Sequence, residues 1–143
     1  MNRCVVDASV VLKWFLRDEV DGPPALAVLD RYLTGALDLL APALLEFEVI
    51  NGLRIAGKRG RIPGESVKAA ARAFLDLGLK FVPLPFYAEK TLDLAEQCDL
   101  SAYDASYLAL AVESGTDLLT ADKNLLKAAK KRGLPARGLA DAS

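Results

Sequence analysis

Residues 3–12 read Arg3-Cys4-Val5-Val6-Asp7-Ala8-Ser9-Val10-Val11-Leu12, a short apolar run that ends on an acid and passes at once into helical spacing. Cys4, Val5 and Val6 suit a buried strand, while Val11, Leu12, Phe15 and Leu16 recur at helical intervals behind Ser9, which can cap a helix start. Strand hands over to helix at Asp7. The same alternation continues outward along the chain. Pro23 and Pro24 open a helix through Leu26, Val28, Leu29 and Leu33, and Gly35 closes it. Leu37 to Ala41 is strand-like, Pro42 breaks it, and a helix follows from about Ala43 to Ala56, closed by Gly57. Glu65 to Leu77 reads as a helix stopped by Gly78, and Leu79 to Val82 as a strand ended by Pro83. Phe86 to Gln97 and Ala102 to Ser114 read as helices, and Asp117 to Thr120 as a fourth strand entering a helix at Asp122. The tail after Gly133 is weakly patterned. Alternating strands and helices predict an α/β, three-layer fold: a central, mostly parallel sheet of four to five strands with helices on both faces.

The chain has 143 residues, 52% of them apolar and 26% charged, which predicts one domain over residues 1–143 and leaves no room for two. The apolar stretch Ala36 to Leu45 is interrupted by Asp38 and Pro42 and falls short of the roughly 20 residues a membrane span needs. Asp7 arrives before any basic start, apolar run and cleavage site could form, so no secretory signal is expected and a cytoplasmic address follows. Histidine is absent, which excludes Ser-His-Asp and Cys-His catalysis and histidine metal sites. Chemistry must run on carboxylates, lysines or hydroxyls. Cys4 and Cys98 form no C-x-x-C pair and read as buried thiols, with neither a zinc site nor a disulfide framework supported. Eighteen basic and 19 acidic residues give a net charge of -1, so any contact with nucleic acid must come from local basic patches or metal ions.

In a parallel sheet the strand-to-helix turns gather at one edge, where ligands bind. Asp7 and Asp122 both lie in such turns, although each could serve simply as a helix cap. Asp104 shares a helix face with Leu108 and Ala111, flanked by Ala105 and Tyr107, so its carboxylate is expected to be buried and to need a partner such as a metal ion. Ser101-Ala102-Tyr103-Asp104 also fits a capping box. The third helix offers Glu46 and Glu48, between which periodicity does not choose; Asn51, one turn beyond Glu48, favours Glu48. Arg54, Lys58, Arg59 and Arg61 make a basic patch, usually a solvated face but able to hold phosphates beside an acidic site. An all-oxygen donor set suits magnesium or manganese and disfavours zinc, copper and haem. Phosphodiester hydrolysis is the chemistry that most needs such a site.

At these residues the chain resembles the PIN-domain nucleases, in particular the VapC-type ribonuclease toxins of prokaryotic toxin–antitoxin pairs. Four motifs in order carry the resemblance: Val5-Val6-Asp7-Ala8-Ser9-Val10, Glu48-Val49-Ile50-Asn51-Gly52-Leu53, Tyr103-Asp104-Ala105-Ser106-Tyr107-Leu108-Ala109-Leu110-Ala111, and Leu118-Leu119-Thr120-Ala121-Asp122. The resemblance implies a PIN-like fold in which Asp7, Glu48, Asp104 and Asp122 surround one or two Mg2+ or Mn2+ ions, and it selects Glu48 over Glu46. Thr120 matches a family hydroxyl near the site, with Ser9 and Asn51 in support. Asn124 stands where some relatives carry another acid. By the same analogy an activated water attacks RNA phosphorus in line, leaving 5′-phosphate and 3′-hydroxyl ends, and the absence of histidine agrees, because cyclising ribonucleases commonly rely on it. The resemblance also implies a homodimer and a small antitoxin protein that blocks the acidic groove; a mean hydropathy of +0.22 points the same way, to apolar surface awaiting a partner.

Two rivals use acids at strand ends. A phosphoaspartate phosphatase of the haloacid dehalogenase type wants a second Asp two residues after the nucleophile, where this chain has Ser9. A receiver domain wants a phosphoacceptor ending the middle strand, and Leu79 to Val82 ends without an acid. A PIN-like module that holds RNA or protein without cutting would have lost a core acid, and none is missing.

Overall fold

A computed structural model describes residues 2–141. Five short strands, β1 (Arg3–Val6), β2 (Asp38–Pro42), β3 (Lys80–Val82), β4 (Leu118–Thr120) and β5 (Ala136–Gly138), pair only in parallel. Their order is β3-β2-β1-β4-β5. Parallel neighbours need crossovers, which here are helical: α1 (Ala8–Val11), α2 (Gly22–Leu33), α3 (Leu44–Lys58), α4 (Val67–Asp76), α5 (Ala88–Cys98), α6 (Ala102–Ser114) and α7 (Lys123–Lys131). Helices above and below make the central strands apolar on both sides, and Val5, Val6 and Leu118 are wholly buried.

The chain steps from β1 to β2 to β3, then returns past β1 to lay down β4 and β5. Right-handed crossovers therefore put α1–α4 on one face and α5–α7 on the other. Packing agrees: α3 lies on β2 and α1, α6 on β1, β2 and β4, and α7 on β4 and β5. The reversal between β1 and β4 is a topological switch point, where the two helix layers part at the carboxyl ends of the strands. Helix α6 is buried along Ala105–Ala111 on every side because the sheet covers one flank and α5 the other.

Four local expectations are corrected. Asp7, not Ser9, caps α1, accepting the Val10 amide, because the Ser9 hydroxyl is engaged elsewhere. Pro42 closes β2 from inside it, tolerated at the strand terminus. Gly57 lies within α3 rather than after it: a Cβ there would stand 2.5 Å from Val67 Cγ2, so the glycine lets α4 approach, and Gly60 at φ +74° provides the left-handed exit. Cys4 is buried, its thiol pushed up to about 11 chiefly by burial, but Cys98 at the end of α5 is only half-buried. The weakly patterned tail contains β5, three residues long and too short to show a period. Among the described residues no helix is long and apolar enough to cross a membrane.

Leu53 of α3 is fully buried. Leu53→Ala is expected to cost about 2–5 kcal/mol in urea denaturation; a loss below about 1 kcal/mol would mean that α3 does not seal this layer.

Candidate active site

Asp7 leaves β1 at the switch point and is 5% exposed. Its Oδ1 accepts from Ser9 Oγ at 2.5 Å and from the Val10 amide at 3.3 Å, and its Oδ2 accepts from Thr120 Oγ1 at 2.5 Å. Each hydroxyl also takes an amide proton: Ser9 Oγ from Ala121 at 2.9 Å, Thr120 Oγ1 from Asp122 at 3.0 Å. The turn after β1 and the turn after β4 are thereby tied together. Burial pushes the Asp7 carboxyl up to about 6, against the pull of the Ser9, Thr120 and Val10 bonds, and the charge of Asp122 adds to the rise.

Asp122 caps α7, its Oδ1 accepting the amides of Asn124 at 2.9 Å and Leu125 at 3.1 Å. Capping and membership of the acidic group coexist in one side chain. Asp104, in the first turn of α6, is half-buried rather than buried, because the covered stretch of the helix begins one residue later, at Ala105. Ser101 Oγ accepts the Asp104 amide at 3.1 Å, but the carboxylate returns no bond to the Ser101 amide among the described residues. Burial first, then the charge of Asp122, raises the Asp104 carboxyl. Glu48, half-buried on α3, accepts the phenolic hydrogen of Tyr107. Its carboxyl is raised by burial and by Asp104, with the Tyr107 bond opposing.

Tyr107 joins the two helix layers and meets Glu48, not Glu46. It is 2% exposed, and its phenol is driven up by burial, by its bond to Glu48 and by the charges of Glu48, Asp7 and Asp104. Sequence reading placed it only in an apolar stripe; the available signal was its position one turn after Asp104. Asn51 is exposed beyond Glu48, and Arg54, Lys58 and Arg59 are exposed toward the end of α3. Arg61 is engaged elsewhere, donating to Asp18 at 2.7 and 2.9 Å and to Glu19 at 2.6 Å. Asn124 is exposed, contributing its amide to Asp122.

Asp7, Glu48, Asp104 and Asp122 thus share one edge, two from each helix layer, and repel one another. Among the described residues no cation of the chain forms an ion pair with any of them. A hard divalent ion fits this donor set, which offers carboxylates and hydroxyls without thiolate or imidazole and lacks counter-charge. As the side chains are placed, no three acids among the described residues stand close enough to hold one ion, so convergence on a shared ion requires carboxylate rotation.

Thr120 is wholly buried and serves both Asp7 and Asp122. Thr120→Val should cost about 1–3 kcal/mol of stability, with Thr120→Ser recovering most of it. Equal melting of the valine variant and the parent would contradict the structural role of these bonds.

Residues 4–131 match the family model of the PIN domain, and the chain belongs to that family. Its curated relatives make it a PIN domain of the VapC type. It is 35% identical over 136 residues to Ribonuclease VapC1 of Mycobacterium tuberculosis, covering 94% of this chain and 95% of the relative. Identity to VapC ribonuclease Mb0985 of Mycobacterium bovis is 33% over 121 residues, or 85% and 87% of the two chains. The crystal structure of PAE2754 from Pyrobaculum aerophilum matches with a TM-score of 0.69 at 25% identity, covering 98% of this chain and 85% of that one.

Proposed function

We propose that this protein is a divalent-metal-dependent endoribonuclease, the toxin of a toxin–antitoxin pair, built as a single PIN domain over residues 1–143. The observation that carries the reading is the gathering of Asp7, Glu48, Asp104 and Asp122 at the switch point without a cationic partner among the described residues, in a chain whose relatives are named ribonucleases. Those four acids would hold Mg2+ or Mn2+. When bound, the ion would neutralise the scissile phosphate and make a water more acidic. The chain's own groups do the positioning. Ser9, Thr120 and the Val10 amide orient both Asp7 oxygens, Tyr107 orients Glu48, and the α7 amides orient Asp122. Arg54 and Lys58 on α3 and Arg59 directly after it are exposed and form no ion pair among the described residues, which leaves them available to RNA phosphates, whereas Arg61 is committed to Asp18 and Glu19.

The working state is a cytoplasmic homodimer held in check by a small antitoxin protein over the acidic edge. Exposed Phe47, Leu84, Leu92 and Tyr103 offer apolar surface for such partners.

Purified protein incubated with defined transfer, ribosomal and messenger RNAs tests the reading. Cleavage is expected with magnesium or manganese, should stop in chelator, and should leave 5′-phosphate and 3′-hydroxyl ends. Activity that persists in chelator, or 2′,3′-cyclic phosphate ends, would overturn the mechanism; binding without cleavage would indicate a non-catalytic module. A monomer by light scattering at micromolar concentration, with no inhibitory neighbouring gene, would count against the assembly.

A further inference from the structure

Helix α7 follows its cap, Asp122, and carries Lys123, Lys127, Lys130 and Lys131, with Arg132 directly after it and no acid between residues 123 and 132. Five of the chain's 18 basic residues fall in these ten positions. All five are exposed, and none forms an ion pair among the described residues. At 3.6 residues per turn the four lysines lie within about 100° of the helix circumference, opposite the buried Leu125 and Ala129.

Local helix physics explains only part of this pattern. Lys130 and Lys131 sit favourably at the negative end of the helix dipole, but Lys123 sits at the positive end, where a cation is disfavoured. Lys123 with Lys127, and Lys127 with Lys131, are like charges at i,i+4, each pair costing the helix a few tenths of a kcal/mol. A stripe that opposes its own helix calls for a counter-charge from outside. It starts beside an acidic edge that would itself repel a polyanion, and it runs about 10 Å from Lys123 to Lys130, a length that spans successive phosphates of one strand.

We infer that the lysine face of α7 is a docking track for the phosphate backbone of single-stranded RNA, holding the strand on the Asp122 side of the acidic edge while α3 holds it on the Glu48 side. The inference rests on the ribonuclease reading above and extends it to residues outside the acidic group. Phosphate contacts of this kind position the strand and read no sequence, so these lysines should set affinity and salt dependence without setting cleavage preference.

The test combines Lys123→Gln, Lys127→Gln and Lys130→Gln. Binding of a labelled single-stranded RNA is followed by anisotropy in an Asp104→Asn background across a salt series, and cleavage is followed in the otherwise unmodified chain. Each lost contact should reduce the slope of log affinity against log salt by about 0.7. The triple variant should therefore lose about two units of slope and bind at least about tenfold more weakly at moderate salt. KM should rise while kcat at saturating RNA holds, and the melting temperature should not fall, since like-charge pairs are removed. A control triple, Lys68→Gln, Arg72→Gln and Lys80→Gln, removes the same charge from exposed positions on α4 and β3 and should keep the parental slope. Equal loss in the control, or an unchanged slope in the α7 variant of a parent that binds and cuts RNA, overturns the track and leaves the ribonuclease reading standing. A parent that neither binds nor cuts any RNA overturns both.

Discussion

Asp104→Asn is expected to cut RNA at least about a hundredfold more slowly than the parent, the scale of several kcal/mol of lost transition-state stabilisation, while melting no lower in chelator. Two facts separate this outcome from that of a mere helix cap. The capping bond at this site runs from the Asp104 amide to Ser101 Oγ and survives the substitution. The carboxylate itself gains nothing from the fold: burial and the charge of Asp122 both raise its proton affinity, so removing the charge relieves repulsion in the metal-free protein. Added magnesium should stabilise the variant less than the parent, because a ligand stabilises only through its affinity for the folded state. Melting curves with and without magnesium, run beside a cleavage assay on the same preparation, decide the matter. An active variant that melts lower in chelator would identify Asp104 as a structural residue.

Asp7→Asn should abolish cleavage to a similar degree and also remove a pH dependence of stability. In the metal-free fold the Asp7 carboxyl is pushed up to about 6 from its ordinary value of 3.8. The folded state thus binds the proton more tightly than the unfolded chain, and stability falls as pH rises through that interval. Below about pH 4 the penalty is absent; above about pH 6 it is fully present, on the order of 3 kcal/mol. The parent in chelator should therefore lose melting temperature between pH 4.5 and 7 relative to Asp7→Asn, after the other carboxylates' shared trend is subtracted. Magnesium should flatten the difference by favouring the ionised carboxylate. Parallel melting profiles for the two proteins in chelator would show that Asp7 does not carry this strain.

Much of the framework could be read locally. Helix α6 runs from Ala102 to Ser114 as the Ser101 cap and Gly115 stop predict, because capping and left-handed exit depend on neighbours within a turn. The strand, acid and helix at residues 3–12 likewise announce β1 and its handover, and the four ordered motifs single out the candidate acids. Their grouping required the fold. Asp7 meets Thr120 across 113 residues only because the strand order sets β1 beside β4, and Tyr107 reaches Glu48 only because helices from opposite layers converge at that edge. The same holds for Asp104, whose half-burial depends on where α6 emerges from its neighbours, and for Arg61, claimed by Asp18 and Glu19. Periodicity records which side of a segment is buried, a property of residues three or four apart. Pairing between distant segments depends on crossover and register, and these leave no trace in the local pattern.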